Sequence, residues 1–221
     1  FMNGNAPFVA FVGILFAFAF TCLMTSKCSK FLPRDLGREF AVDGKLSAGK
    51  PRGAGIIFIL VFTVSSLLFA DINLEMIIYL ALVVVEMLTG YLDDASDKPW
   101  NEYKKGILDL AVAVITAVTY VHFNGSTIEL AALGISVTLP AAVYCILAVI
   151  LIWVSINVTN CSDGVDGLSG TLSIITLVTI YVLGQILDMD KGFAFTILLF
   201  VVCILGYLSV SYTHLTLPTI A

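Results

Sequence analysis

Seven long runs of apolar residues constrain the fold of this chain more than any other feature. Each run approaches the roughly 20 helical residues that cross the hydrocarbon layer of a bilayer, which is about 30 Å thick. Charged residues make up 12% of the chain and mean hydropathy is +1.03, which excludes an ordinary soluble domain. The sequence therefore predicts an all-α polytopic membrane bundle with about seven transmembrane helices. The runs are Phe8–Cys28, Gly53–Ala70, Leu74–Leu92, Gly106–Phe123, Pro140–Ile156, Leu168–Leu187 and Phe193–Tyr212.

Basic residues are distributed unevenly between the two sides of such a bundle. Ten of the 11 lysines and arginines lie in or beside the first and third loops, and only Lys191 falls on the opposite side. Because basic loops stay in the cytoplasm, the odd-numbered loops and the C-terminus are predicted to be cytoplasmic. The N-terminus is predicted to lie outside. The ten residues are Lys27, Lys30, Arg34, Arg38, Lys45, Lys50, Arg52, Lys98, Lys104 and Lys105.

Two acidic motifs fall at span ends on this cytoplasmic face. Asp93 and Asp94 follow the third run, and the polar segment 157–168, with Asp163 and Asp166, follows the fifth. An unpaired aspartate in the middle of a membrane costs about 2.5 to 3.5 kcal/mol, so an interface or a bound cation is favoured. Like charges gathered on one face repel, and oxygen ligands favour Mg²⁺. Alternatively, Asp-Asp only ends a helix and Asp-Gly-x-Asp-Gly is only a turn.

Other charged or glycine-rich stretches have two interpretations. The turn at 49–55 could bind an anion through backbone N–H groups, or serve close helix packing. The stretch 98–105 offers cations for a pyrophosphate, or anchors the chain at the membrane edge. Glu86 is predicted to face the bundle interior and make a structural hydrogen bond, and Asp109 to pair with Lys105 at i,i+4.

Together these motifs resemble a known family. The pattern Asn-x-x-Asn-x-x-Asp-Gly-x-Asp-Gly-Leu at 157–168, the earlier Asp-Asp pair and the Pro-x-x-x-Gly turn at 51–55 are similar to those of the polyprenyl-phosphate N-acetylhexosamine-1-phosphate transferases. The turn and the 100–105 stretch favour the bacterial members that make the first lipid-linked peptidoglycan precursor.

The resemblance implies a reaction in the bacterial plasma membrane with a cytoplasmic active site. Phospho-MurNAc-pentapeptide would pass from UDP-MurNAc-pentapeptide to undecaprenyl phosphate, giving lipid I and UMP, with Mg²⁺ as cofactor. A related reaction with UDP-GlcNAc is the alternative. The partners expected are these two substrates and the lipid bilayer, with a homodimer left open and nucleic acid excluded.

Residue roles follow from the resemblance by position. Asp93, Asp94 and Asp163 are the expected catalytic residues, and Asn160 and Asp94 the expected metal ligands. The remaining matches are expected to bind substrate: Lys45, Lys104, Asn157, Asp163 and Asp166.

The chain departs from the family pattern after Leu208. The family continues with a motif that supplies a further metal-binding aspartate, whereas residues 209–221 carry no such motif. Residues 1–208 are therefore predicted to be the N-terminal part of the transferase, 209–221 a non-native tail, and the 221-residue chain inactive by itself. The rival class is an ion-coupled transporter, which would place its charges at the bilayer midplane.

Overall fold

The computed structural model describes residues 6–33, 53–96, 100–161 and 167–211. Seven α-helices account for nearly all of the described chain, so the predicted all-α membrane bundle is confirmed. They are α1 (Ala6–Cys28), α2 (Gly55–Phe69), α3 (Leu74–Ala95), α4 (Glu102–Asn124), α5 (Ala141–Cys161), α6 (Leu168–Ile186) and α7 (Lys191–Val210). Six are long and apolar enough to cross a membrane. Helix α2, with 15 residues, is shorter than its predicted run.

Side chains at the helix starts fix several of these boundaries. Asn73 accepts a hydrogen bond from the Met76 backbone N–H at 2.7 Å, and Asp190 accepts one from Phe193 N–H at 2.9 Å. Such caps satisfy donors that a helix cannot satisfy within itself. Asn101 begins α4 in the same way, accepting from Tyr103 N–H at 3.3 Å.

The core of the bundle lies where α7 packs against α1 and α2. Ala17, Phe62, Leu199 and Cys203 are buried there, and Gly206 allows the closest approach. A Cβ atom at Gly206 would lie 3.0 Å from the backbone oxygen of Phe18 in α1. Small residues at such crossings let membrane helices pack closely, where the hydrophobic effect gives little driving force. Helices α3, α4 and α5 follow in order on the α2 side, while α6 packs on α7.

A short β-hairpin joins α4 to α5 and was not predicted. Its strands are β1 (Thr127–Leu130) and β2 (Ile135–Thr138), paired antiparallel. It lies at the end of the bundle opposite Asp93 and Asp94, because neighbouring helices run in alternate directions. The Asn124 side-chain amide, at the end of α4, donates a hydrogen bond at 2.6 Å to the carboxyl group of Glu75 in the first turn of α3. This contact places the end of α4 beside the start of α3.

Several predictions fall outside the described residues. Lys45, Asp163 and Asp166 are among them, so their roles stay predictions. The domain boundary at Leu208 also stays a prediction: α7 continues past it to Val210, and residues 212–221 lie beyond the described part.

Candidate active site

Asp93 and Asp94 lie in the last turn of α3. Carboxylates are unfavourable at the C-terminal end of a helix, where the backbone dipole is negative, by about 0.3 to 1 kcal/mol each. No basic residue lies in that turn to offset them. The pair therefore does not stabilise α3 by its charge, and this weakens the interpretation that Asp-Asp merely ends the helix.

Asp93 connects α3 to the start of α4. Its Oδ1 atom accepts a hydrogen bond from the backbone N–H of Trp100 at 2.8 Å. Its Oδ2 atom lies 3.8 Å from the ammonium nitrogen of Lys105, and both side chains are about one quarter exposed. Partial burial makes such a pair stronger than one fully in water. Asp93 thus holds one cation at the start of α4 close to the end of α3.

The glycine turn before α2 reaches the same place. Gly53 has a φ of +68°, a conformation that side chains disfavour. A Cβ atom there would lie 2.9 Å from Cδ2 of Tyr91 and 3.8 Å from the Cβ atom of Asp94. The absence of a side chain at Gly53 therefore brings the turn against the acidic end of α3. Residues 34–52, which hold the rest of the turn, are outside the described chain.

A cleft of about 490 Å³ opens beside these residues, between α3, α4, α5 and α6. Asn160, one of the predicted metal ligands, and Lys105 both line it. Three of the four residues that α5 contributes are polar. Helix α5 continues through Cys161, five residues beyond the predicted end of the span at Ile156. The cleft is lined by Glu86, Gly90, Lys105, Ser155, Ile156, Thr159, Asn160 and Ser169.

The two lysines at the start of α4 have different surroundings. The Lys104 ammonium nitrogen lies 3.3 Å from the centroid of the Trp100 ring, on the exposed side of the helix. Lys105 faces the cleft. The substrate-binding role of Lys104 stays a prediction, but its place on the tryptophan fits the alternative interpretation of an interfacial anchor. Helical periodicity could have identified Lys105, which is four residues before the buried Asp109 and eight before Ala113.

Asn157 does not point into the cleft as Asn160 does. Its amide nitrogen donates to the backbone oxygen of Trp153, 2.9 Å away on the same helix. Trp153 in turn donates to the backbone oxygen of Gly106 at 2.9 Å and joins α5 to α4. In the described structure Asn157 therefore supports this side of the cleft, and its substrate-binding role stays a prediction.

Two carboxyl groups inside the bundle complete the surroundings of Lys105. The predicted i,i+4 pair between Lys105 and Asp109 is wrong: the Lys105 ammonium group turns to Asp93, and neither carboxyl oxygen of Asp109 has a hydrogen-bond partner within the described ranges. Glu86 faces the bundle as predicted, with Asp109 and Lys105 as its charged neighbours. Its Oε2 atom also lacks a hydrogen-bond partner in the part of the chain described.

The donor set of the site suits a magnesium ion. The Asp94 carboxylate and the Asn160 amide oxygen are hard donors, and Mg²⁺ binds through one or two carboxylates with substrate phosphates and water completing its shell. Among the described residues no group of three or more histidine, cysteine, aspartate or glutamate side chains could hold a metal by itself. A site that depends on phosphate oxygens is consistent with both observations.

A family model named glycosyl transferase family 4 matches residues 76–212, a range that contains Asp93, Asp94, Lys105 and Asn160. This match covers more than half of the chain. The chain belongs to glycosyl transferase family 4. The family assignment made from the sequence motifs is therefore confirmed.

Curated relatives carry the name phospho-N-acetylmuramoyl-pentapeptide-transferase. One from Treponema pallidum subsp. pallidum is 38% identical over 171 residues, covering 76% of this chain and 47% of the relative. One from Symbiobacterium thermophilum is 30% identical, covering 66% of this chain and 49% of the relative. One from Bacillus subtilis is 29% identical, covering 73% and 55%. The chain thus spans about half the length of the curated relatives it matches.

Proposed function

We propose that this chain provides the N-terminal part of a transferase that moves phospho-MurNAc-pentapeptide from UDP-MurNAc-pentapeptide to undecaprenyl phosphate, forming lipid I and UMP. The observation that carries the proposal is the grouping of Asp93, Asp94 and Lys105 at one end of a membrane bundle, beside a cleft lined by Asn160. A lipid substrate and a water-soluble nucleotide can meet only at such an interface. The names of the relatives favour this donor over UDP-GlcNAc, and the family match disfavours an ion-coupled transporter.

Each of the described site residues would have its own role in phosphoryl transfer. Such transfer depends on positioning and on charge stabilisation, with little covalent chemistry for the protein to perform. Lys105, held by Asp93, would attract a phosphate into the cleft, and Asp93 would keep the ammonium group oriented. Asp94 would orient the lipid phosphate or accept its proton. Asn160 and Asp94 would hold Mg²⁺, which when bound would neutralise charge on the phosphate oxygens.

Topology supports the same assignment. We propose that the end of the bundle with Asp93 and Asp94 faces the cytoplasm, where nucleotide sugars are made, and that the N-terminus lies outside. The support is the ten-to-one distribution of basic residues. Lys45, Asp163 and Asp166 would complete the nucleotide side of the site.

The direct test is UMP release in vesicles. Two proteins are compared: the 221-residue chain, and a chimaera of residues 1–208 with the C-terminal part of the Treponema pallidum relative. We expect the chimaera to release UMP from UDP-MurNAc-pentapeptide only when both undecaprenyl phosphate and Mg²⁺ are present, and the short chain to release none. UMP release from UDP-GlcNAc alone would refute the proposed donor.

A matched variant tests the site itself. Asp94→Asn in the chimaera keeps the size of the side chain and removes one charge, so turnover should fall about a hundredfold or more, the scale for loss of a positioned electrostatic group. Asp188→Asn, near the opposite end of the bundle, removes one charge without touching the site. Equal turnover of the two variants would contradict the active-site assignment.

A further inference from the structure

The hairpin between α4 and α5 has two chemically different faces. Its register pairs Ile128 with Val137 and Leu130 with Ile135, so these four apolar side chains share one face. The opposite face carries the pairs Thr127–Thr138 and Glu129–Ser136. The two threonine hydroxyls are 3.0 Å apart. A two-stranded ribbon has no interior of its own, and all eight strand residues are exposed.

The apolar face of this ribbon is exposed. Leu130 and Ile135 are 45% and 49% exposed, and Leu133 in the connecting turn is 69% exposed. Adjacent exposed apolar side chains indicate a surface that something covers. The sequence of the hairpin indicates the chemistry of the partner. Residues 125–140 contain one charged residue, Glu129, and no lysine or arginine. The face therefore suits an uncharged, apolar partner.

The base of the hairpin is fixed close to the ends of two spans. The Leu139 backbone N–H donates to Ser126 O at 3.0 Å, and the Ser126 hydroxyl donates to Leu139 O at 2.7 Å. Only Gly125 separates Ser126 from the end of α4, and only Pro140 separates Leu139 from the start of α5. The base of the hairpin therefore lies close to the level at which these two helices leave the bilayer.

Aromatic residues indicate where along α4 and α5 the membrane surface lies. Tyr120 in α4 and Tyr144 in α5 stack with their ring centroids 5.8 Å apart. Tyrosine is enriched at the level of lipid headgroups. Asn124 is four residues beyond Tyr120, which is about 6 Å along a helix, comparable to the headgroup layer of one leaflet. The hairpin thus starts within or at the edge of the headgroup layer.

We propose that the hairpin lies on the bilayer surface with Ile128, Leu130, Ile135 and Val137 inserted among the lipids. Glu129 and Ser136 then face water. Docked in this way, the ribbon would fix the separation of α4 and α5 at the end opposite the cleft. The interaction would depend on apolar burial, so it would be insensitive to salt and to the anionic lipid content of the membrane. It is independent of the transfer reaction proposed above.

Tryptophan scanning of neighbouring residues tests the proposal in the full 221-residue chain. In a Trp100→Phe, Trp153→Phe background, Leu130→Trp is compared with Glu129→Trp in phosphatidylcholine vesicles, with and without bromine on the upper acyl chain. We expect Leu130→Trp to emit at shorter wavelength and to lose at least about half of its fluorescence to bromine, because interfacial apolar groups reach the acyl boundary. Glu129→Trp should emit as in water and be quenched little.

The second strand gives an independent pair, Ile135→Trp and Ser136→Trp, which must show the same contrast. This pair guards against local damage to the first strand by a substitution. Short-wavelength emission at 130 and 135 without bromine quenching would mean that protein, such as a second copy of the chain, covers the face. That result overturns the proposal, and so does equal quenching of both members of a pair.

Discussion

Replacement of Gly53 by alanine should destabilise the bundle and disturb the acidic end of α3. Two costs add at this position. The positive φ of +68° costs a residue with a Cβ atom about 1 to 2 kcal/mol. The new methyl group would lie 2.9 Å from Cδ2 of Tyr91, and overpacking of this kind costs about 1 to 3 kcal/mol. The free energy of unfolding should therefore fall by about 2 to 5 kcal/mol.

Gly134 offers a control for the backbone term. Its φ of +64° is similar, and no atom lies within 4 Å of the position a Cβ atom would take. Gly134→Ala should therefore lower stability by the backbone cost alone, about 1 to 2 kcal/mol. The difference between the two variants measures the contact with Tyr91.

Reversible unfolding in mixed detergent micelles, followed by helical circular dichroism, gives both values. A double-mutant cycle with Tyr91→Ala then isolates the contact, because removal of the ring should relieve the contact part of the Gly53→Ala cost. Equal destabilisation by Gly53→Ala and Gly134→Ala would refute the close approach of the glycine turn to α3. A cycle without coupling would refute the role of the Tyr91 ring.

Three further predictions test the site, the topology and the core. In the chimaera, Lys105→Met should lower turnover about tenfold or more, since it removes a positioned cation, while Lys104→Met should change it little. The opposite ranking, measured by UMP release, would restore Lys104 as the substrate-binding lysine. A cysteine at Asn124 should react with a membrane-impermeant thiol reagent from outside the cell, and Cys161 from the cytoplasm; reversed labelling would invert the topology. Gly206→Ala should lower the free energy of unfolding by about 1 to 3 kcal/mol because the Phe18 backbone cannot yield. Gly90→Ala, with open space around it, should be tolerated. Equal effects of the two variants would contradict the α1–α7 packing.

Hydropathy predicted the helices well because the bilayer imposes both length and composition on a span. The exceptions are informative. Helix α5 continues through Asn157 and Asn160, although these polar residues suggested a loop. Helix ends are set by backbone hydrogen bonds and the chain beyond them, and hydropathy reports neither. The hairpin was missed for a related reason: the alternation in 127–138, with Gly134 between the strands, is a strand pattern, but it is short and lies between much stronger signals.

The candidate site was predictable in its chemistry and less so in its geometry. Asp93 and Asp94 were identified because acids are costly in a membrane and therefore informative there, and Asn160 was identified from its place in the motif shared with the family. The choice between Lys104 and Lys105 needed the rotational position of α4, which its buried residues Asp109 and Ala113 indicate. The ion-pair partner of Lys105 could be identified only from the folded structure. Sequence spacing pointed to Asp109, but the end of α3 brings Asp93 within reach.

The packing of α1 against α7 has a consequence for biosynthesis. The Cys22 thiol in α1 contacts the backbone oxygen of Gly206 in α7, 184 residues later in the chain. At about 5 to 20 residues per second, the ribosome leaves α1 without its main partner for roughly 10 to 40 s. The first helix tolerates this delay because the Thr21 hydroxyl, buried in the finished bundle, donates to Ala17 O of its own helix at 2.7 Å. In a newly inserted α1 this hydroxyl therefore has its hydrogen bond while lipids still surround the helix. The core can assemble only after the seventh helix has been made.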